Sequence, residues 1–254
     1  MNQDPREVRR MFSSIAGRYD LLNRLLSLSL DRSWRRAVVR ELRPGPGQRA
    51  LDLCCGTGDL ALALSAAGAS TVASDFAHPM LEVAQRKDPS LHLVEADALH
   101  LPFPEGAFDM VTIAFGLRNL QDRAAGLREM YRILRPGGRL AILEFSLPKG
   151  SCFRWIYHNY LGRAVPAVGR LVSRRAGPYR YLAETIREFP DQPRLAAVIE
   201  ATSAHDRDRI WAEPLTALFT IPIVFVGAIF WEVSWLAYIV IVKLIKGKRR
   251  DVTE

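Results

Sequence analysis

Leu51-Asp52-Leu53-Cys54-Cys55-Gly56-Thr57-Gly58-Asp59 decides the fold of this chain. A short apolar run, read as a buried strand, breaks at two glycines, and Leu60, Leu62 and Leu64 then begin a helical pattern. Gly56 and Gly58 let a ligand press against bare backbone, and the helix N-terminus behind them offers free N–H groups. A second strand, Thr71-Val72-Ala73-Ser74, ends at Asp75, 23 residues after Asp52. A carboxylate at that place takes both hydroxyls of a ribose. The combination points to a nucleoside-containing cofactor on a doubly wound α/β sheet.

Working outward, strands are expected at 49–54, 70–74, 91–95, 108–114 and 139–145, with helices near 58–67, 77–86 and 122–134. Such alternation predicts a mostly parallel sheet with helices on both faces. Arg135-Pro136-Gly137-Gly138 reads as a turn before the fifth strand, and 151–200 as a largely helical cap. Before Pro44-Gly45-Pro46-Gly47, residues 1–43 read as amphipathic helices carrying ten Arg against five Asp and Glu. Three units are therefore expected: a helical lid over 1–43, the α/β domain over 44–204, and a tail over 205–254.

The formal charge is +8, with 28 Lys and Arg against 21 Asp and Glu before residue 201. A mildly basic body suits an anionic membrane surface. Nucleic acid is not expected, because the basic residues are spread out and no binding motif accompanies them. Three cysteines, two of them adjacent, form neither a disulfide framework nor a zinc spacing, so no metal is expected. The charged start, Met1 to Arg10, does not read as a signal peptide.

The tail differs in kind. Leu215 to Ile245 is apolar, its charges only Glu232 and Lys243, and Lys246-Gly247-Lys248-Arg249-Arg250 follows. Its length predicts a membrane-associated helical segment. Basic residues at 243–250 favour a cytoplasmic C-terminus, and hence a shallow hairpin turning near Trp231-Glu232-Val233-Ser234 over a full span through 218–242.

The glycine loop lacks the third glycine of a dinucleotide site and is flanked by Asp52 and Asp59. Carboxylates repel a pyrophosphate but suit a cationic ligand such as the sulfonium S-adenosylmethionine. The pattern resembles motif I of Rossmann-like class I methyltransferases. Three more segments narrow the resemblance: Tyr19-Asp20-Leu21-Leu22-Asn23 with Ser27 and Trp34, Phe115-Gly116-Leu117-Arg118-Asn119, and Arg132-Ile133-Leu134-Arg135-Pro136-Gly137-Gly138 running on to Glu144-Phe145-Ser146. With Tyr179 to Glu184 and Phe189-Pro190-Asp191-Gln192, they closely resemble the quinone C-methyltransferases of menaquinone and ubiquinone biosynthesis, over roughly residues 6–200. The resemblance implies methyl transfer from S-adenosylmethionine to a ring carbon of a prenylated hydroquinone, at the cytoplasmic face of the membrane that holds it. A homo-oligomer stays open. A methyltransferase for another lipid or phenol, or a membrane-tethered relative without activity, are the competing readings.

Under this reading Asp52 and the Gly56, Thr57, Gly58 loop hold the amino-acid part of the cofactor. Asp75 holds the ribose, and Asp97 with the Ala98 backbone grips the adenine edge. Arg118 and Asn119 follow strand four, where α/β ligands bind, and are catalytic candidates with Tyr19. Tyr19, Asn23, Phe115 and Arg118 face the substrate. Asp97 also reads as a cap, and Arg118, Asn119, Tyr19 and Asn23 as structural. His158, the only histidine within 151–200, reads as a base or as part of a packed face. The resembled family closes its sheet with two final antiparallel strands. No counterpart is legible after Ala201, so either the fifth strand is left as an edge or the tail covers it.

Overall fold

The computed structural model describes residues 4–27, 29–145, 159, 162, 177–205, 211–213 and 237–245. Three helices come first: α1 (Pro5–Ile15), α2 (Tyr19–Leu26) and α3 (Leu30–Leu42), with a 3-10 turn over Ala16–Arg18. Asp4 caps α1 by accepting from the Arg6 N–H, with Pro5 at the first helical position, where its missing N–H costs nothing.

The alternating part follows its apolar pattern closely: β1 (Arg49–Leu53), α4 (Asp59–Ala66), β2 (Ser70–Asp75), α5 (His78–Lys87), β3 (His92–Glu95), β4 (Phe108–Ala114), α6 (Arg123–Ile133) and β5 (Leu134–Phe145). Two helices, α7 (Gly177–Glu188) and α8 (Gln192–His205), precede β6 (Trp211–Glu213) and β7 (Ala237–Ile245). The sheet order is β3-β2-β1-β4-β5-β7-β6. The first five strands pair in parallel, β1 lying between β2 and β4. Successive side chains of a strand point to opposite faces. Thus Met110, Ala141 and Leu143 pack under Trp34, Val38 and Leu42 of α3 and Leu60 and Leu64 of α4. Val111, Ile113, Leu140 and Ile142 join Leu127, Met130 and Tyr131 of α6, with Phe189, Leu195 and Ile199, on the other face.

Two expectations are corrected. The turn at 135–138 is absorbed into β5, whose register to β4 shifts between Phe108 and Met110; Gly137, at φ +76°, supplies the left-handed geometry the kink requires. The larger correction concerns the tail. Residues 237–245, the second arm of the expected membrane-associated helical hairpin, form a strand antiparallel to β5, registered from Arg139↔Lys243 to Phe145↔Ala237. Trp211–Glu213 then pairs with that strand's far end, Glu213 opposite Lys243. A segment rich in Ile and Val is a good strand former, and pairing satisfies the backbone groups that an edge at β5 would leave open. Trp211–Glu213 and Ala237–Ile245 are therefore part of the sheet. The arm at 215–230 and the turn at 231–234 lie outside the described residues. Among the described residues, no helix is long and apolar enough to cross a membrane.

Candidate active site

Parallel strands present their carboxyl ends on one side, and a pocket opens there between β1, β2, β3 and β4. About 780 Å³ of non-atom space lies within it, the open mouth included. Its walls include Cys54, Gly56, Asp75, Asp97, Ala98, Phe115, Gly116 and Asn119. The N-terminal helices close one side with Pro5, Phe12 and Tyr19. Among the described residues, the lining holds two carboxylates and no Lys or Arg, so its charge suits a cation.

Asp75 ends β2 almost fully buried. Its Oδ2 accepts from the Gly56 N–H at 2.9 Å and its Oδ1 from the Ala77 N–H at 2.8 Å. Burial pushes its carboxyl above the ordinary range against those hydrogen bonds. Each carboxylate oxygen can accept two hydrogen bonds, so accepting capacity remains towards the pocket. The same contact shapes the loop: Gly56 is held at φ +56° and Gly58 at +82°, conformations that glycine adopts without a Cβ penalty.

Asp52 lies one layer deeper, 1 % exposed. Oδ1 accepts from Thr112 Oγ1 at 2.7 Å, while Oδ2 is buried without a hydrogen-bond partner among the described residues. Desolvation pushes this carboxyl up to about 7. It does not line the pocket. Asp97 lines the pocket but is exposed, and its Oδ1 accepts from the Leu99 N–H at 2.9 Å. Its turn-capping role therefore coexists with its place at the pocket. Thr57 is buried with its hydroxyl between Asp20 and Lys87. Neither Thr57 nor Gly58 lines the pocket.

Phe115 leaves β4 at φ +57°, and Cys54 leaves β1 at φ +51°. Two non-glycine residues in the left-handed region side by side mark stored strain at this edge. The strands approach so closely there that a Cβ on Gly116 would lie 2.5 Å from Cys54 Cβ. Burial pushes both the Cys54 and Cys55 thiols well up, so neither is a ready thiolate. Tyr19 hydrogen-bonds the Asn23 side chain one turn on, and burial raises its hydroxyl above the ordinary value. Asn23 does not line the pocket. Asn119 does; its Nδ2 donates to the Phe115 carbonyl at 3.2 Å and its Oδ1 accepts from Tyr181 of α7 at 3.1 Å.

Arg118 is placed differently from the expectation of a substrate-facing group. It is 5 % exposed and does not line the pocket. Its Nη1 lies 2.6 Å from Glu144 Oε1 and donates to the Phe115 carbonyl, and its guanidinium sits 5.3 Å from the Phe145 ring centre. This buried pair braces the Phe115 turn. The sequence offers Glu144 only as part of a motif and gives it no role, because its partner is 26 residues away and the two meet only when β4 pairs with β5. Sequence reading passed over Phe76, Leu99, Leu120 and Gln121 on the pocket wall. Phe76 follows Asp75 directly, and that adjacency was the one available signal. His158 lies outside the described residues.

Comparison with solved structures agrees with this architecture. A SAM-dependent methyltransferase of Thermotoga maritima superposes with a TM-score of 0.61 at 16% identity, covering 92% of this chain and 98% of the other. One from Aquifex aeolicus gives 0.58 at 16% identity, covering 92% and 98%. At such identities they establish the fold alone, that of the Rossmann-like class I methyltransferases. Sequence relatives are much nearer. The demethylmenaquinone methyltransferase of Mycolicibacterium vanbaalenii is 48% identical over 206 residues, 81% of this chain and 90% of the relative. That of Thermus thermophilus is 51% identical over 197 residues, 75% of this chain and 90% of the relative. The profile of the ubiE/COQ5 methyltransferase family matches residues 1–207, and with the glycine loop, Asp75 and the Phe115–Asn119 turn converging on one pocket, this chain belongs to that family.

Proposed function

We propose that the protein transfers a methyl group from S-adenosylmethionine to a ring carbon of a prenylated hydroquinone, converting a demethylmenaquinol to a menaquinol. The observation that carries the reading is one acid-lined pocket holding Gly56, Asp75, Asp97 and Ala98 together with Tyr19, Phe115 and Asn119. The relatives at 48% and 51% identity, both named demethylmenaquinone methyltransferases, support the naphthoquinol over the benzoquinol ring.

The residues fit the cofactor. Asp75 takes the ribose hydroxyls, Asp97 and the Ala98 backbone the adenine edge, and the Gly56–Gly58 loop over Asp52 the amino-acid end. Bound there, S-adenosylmethionine supplies an electrophilic methyl on a sulfonium. The chain's own residues prepare the acceptor. A ring carbon attacks once a neighbouring hydroxyl has lost its proton to solvent, because the phenolate pushes charge onto it. Tyr19, whose hydroxyl keeps its proton well into the alkaline range, donates a hydrogen bond to that phenolate oxygen rather than acting as base. Phe115 gives the ring an apolar wall, and Asn119, fixed by Tyr181, orients it. Held by those residues, the sulfonium would supply its methyl to that carbon and leave as a thioether, and the displaced ring proton would pass to solvent. Phe12 and Tyr19 of the lid keep water from the reacting carbon. Arg118 acts through Phe115 as a positioning residue.

The substrate's prenyl chain places the working protein at a lipid surface on its cytoplasmic side, with the basic N-terminal helices towards anionic headgroups. Mass spectrometry of lipid quinones after incubation with purified protein and labelled cofactor tests the reading. A labelled menaquinol supports it. Cofactor binding without any labelled quinone replaces it with a non-catalytic relative.

A further inference from the structure

Asp20 sits in the Tyr19–Asn23 motif yet does not line the pocket. It reaches the glycine loop instead. The Thr57 hydroxyl donates to Asp20 Oδ1, and Lys87 Nζ, in the last turn of α5, lies 2.6 Å from Asp20 Oδ2. The same ammonium lies 2.6 Å from Asp59 Oδ1 and donates to Thr57 Oγ1 at 3.0 Å. Its three N–H donors are thus accounted for by α2, the glycine loop and the start of α4. The Thr57 hydroxyl, giving to Asp20 and receiving from Lys87, is committed to this cluster. The side chains of Lys87, Asp20 and Asp59 are 23%, 20% and 26% exposed, so the cluster is partly desolvated and in defined geometry. Without the lysine, the Asp20 and Asp59 carboxylates would face each other, with only Arg35, 3.8 Å from Asp59 Oδ2, beside them. From its neighbouring position, Tyr19 packs on the same loop, its Cε1 3.5 Å from where a Gly56 Cβ would stand. Residues 19 and 20 of one helix therefore hold adjacent loop residues, 56 and 57.

We propose that Lys87 is a positioning residue that clamps Asp20 and Asp59 together, so that docking of the N-terminal helices and seating of the cofactor loop are one coupled event. The proposal rests on the reading of the pocket as an S-adenosylmethionine site. Coupling is reciprocal: whatever factor lid docking adds to cofactor affinity, the cofactor adds to lid docking. The lid carries ten arginines between Arg6 and Arg43, so trypsin reports its release directly.

The experiment uses the full chain and S-adenosylhomocysteine as probe, with trypsin cleavage within 6–43 and calorimetric affinity read in parallel. In the unaltered protein, the probe should slow lid cleavage by about tenfold or more, within the usual range of coupling factors. Lys87→Met should reduce that protection below about twofold and weaken affinity by the matching factor, and Lys87→Arg should restore most of both. Asp20→Asn should act in the same direction, and the double variant should be no worse than Lys87→Met alone. Should Lys87→Met fail to fold, the nearly isosteric Asp20→Asn decides. Unchanged protection and affinity overturn the proposal, as does weakened affinity with lid protection intact. Absence of probe binding to the unaltered protein overturns the pocket reading and the proposal with it.

Discussion

Replacing Glu144 by alanine should destabilise the fold severely, although Glu144 itself does not line the pocket. Glu144 is 0 % exposed and Arg118 5 %, and their ion pair closes at 2.6 Å. The carboxylate also accepts from the Arg118 N–H at 3.2 Å and the Phe145 N–H at 3.0 Å. Truncation leaves two backbone donors without their acceptor and the guanidinium, still bonded to the Phe115 carbonyl, buried without its carboxylate. Removing one partner of a buried pair costs about 3–5 kcal/mol. For a domain of this size 1 kcal/mol moves Tm by about 2–4 °C, so a fall of about 6–20 °C is expected. Glu144→Gln keeps an acceptor and the side-chain shape, and should fall less. Arg118→Ala leaves the carboxylate buried instead and should cost a similar amount, so lost turnover in that variant reports stability before chemistry. An apolar pair, Arg118→Met with Glu144→Leu, should recover much of the loss, since no charge then remains to be desolvated. Thermal unfolding followed by circular dichroism reads all four. Glu144→Ala melting within about 2 °C of the unaltered protein, or a double variant no more stable than the single, would refute the argument.

Further expectations concern the cofactor side and the sheet. Asp75→Ala removes the acceptor of the Gly56 and Ala77 N–H groups and, under the proposed function, of the ribose, and should weaken S-adenosylhomocysteine binding by about 1.5–3 kcal/mol in calorimetry; unchanged affinity would place the ribose elsewhere. Burial holds the Asp52 carboxyl at about 7, above its unfolded value, so the folded state keeps the proton longer and its contribution to stability falls as pH rises from about 4 to 7. Asp52→Asn should flatten that slope by on the order of 2–4 kcal/mol, read by urea unfolding at pH 5 and 8; an unaltered slope would sink the assignment. Ending the chain at residue 210 should leave a pairing edge at Arg139–Phe145 and send the protein into aggregates, even in detergent that disperses membranes; a monodisperse truncated protein would show that β7 is dispensable.

The alternating region was legible because its signals are local. Apolar runs of four to seven residues, glycine turns and the Asp52 to Asp75 spacing locate β1, β2 and the pocket edge within a residue or two of their places. What escaped depends on distance. Arg118 looks like a free cation until β4 lies beside β5 and brings Glu144 to it. Asp20 looks like a surface acid until α5 delivers Lys87. The deepest misreading, at 237–245, has a different cause. Ala237-Tyr238-Ile239-Val240-Ile241-Val242 is apolar at every position and shows no alternation, so periodicity does not distinguish a strand from a bilayer segment. The edge of β5, which the sequence leaves either open or covered by the tail, decides between them, and which of the two holds is a property of the assembled sheet.

Closing the sheet with the end of the chain has a consequence for its birth on the ribosome. Phe145 completes β5, yet the strand that covers it ends at Ile245, 100 residues later. At about 5–20 residues per second, translation leaves that edge bare for roughly 5–20 s, far longer than the microseconds in which strands pair. A nascent chain therefore carries an unpaired strand through most of its second half of synthesis, and neighbouring ribosomes on one message carry the same strand. Slow codons between positions 146 and 236 should lower soluble yield, and a trigger-type holdase that shields the growing sheet should restore it, without altering a single residue of the finished enzyme.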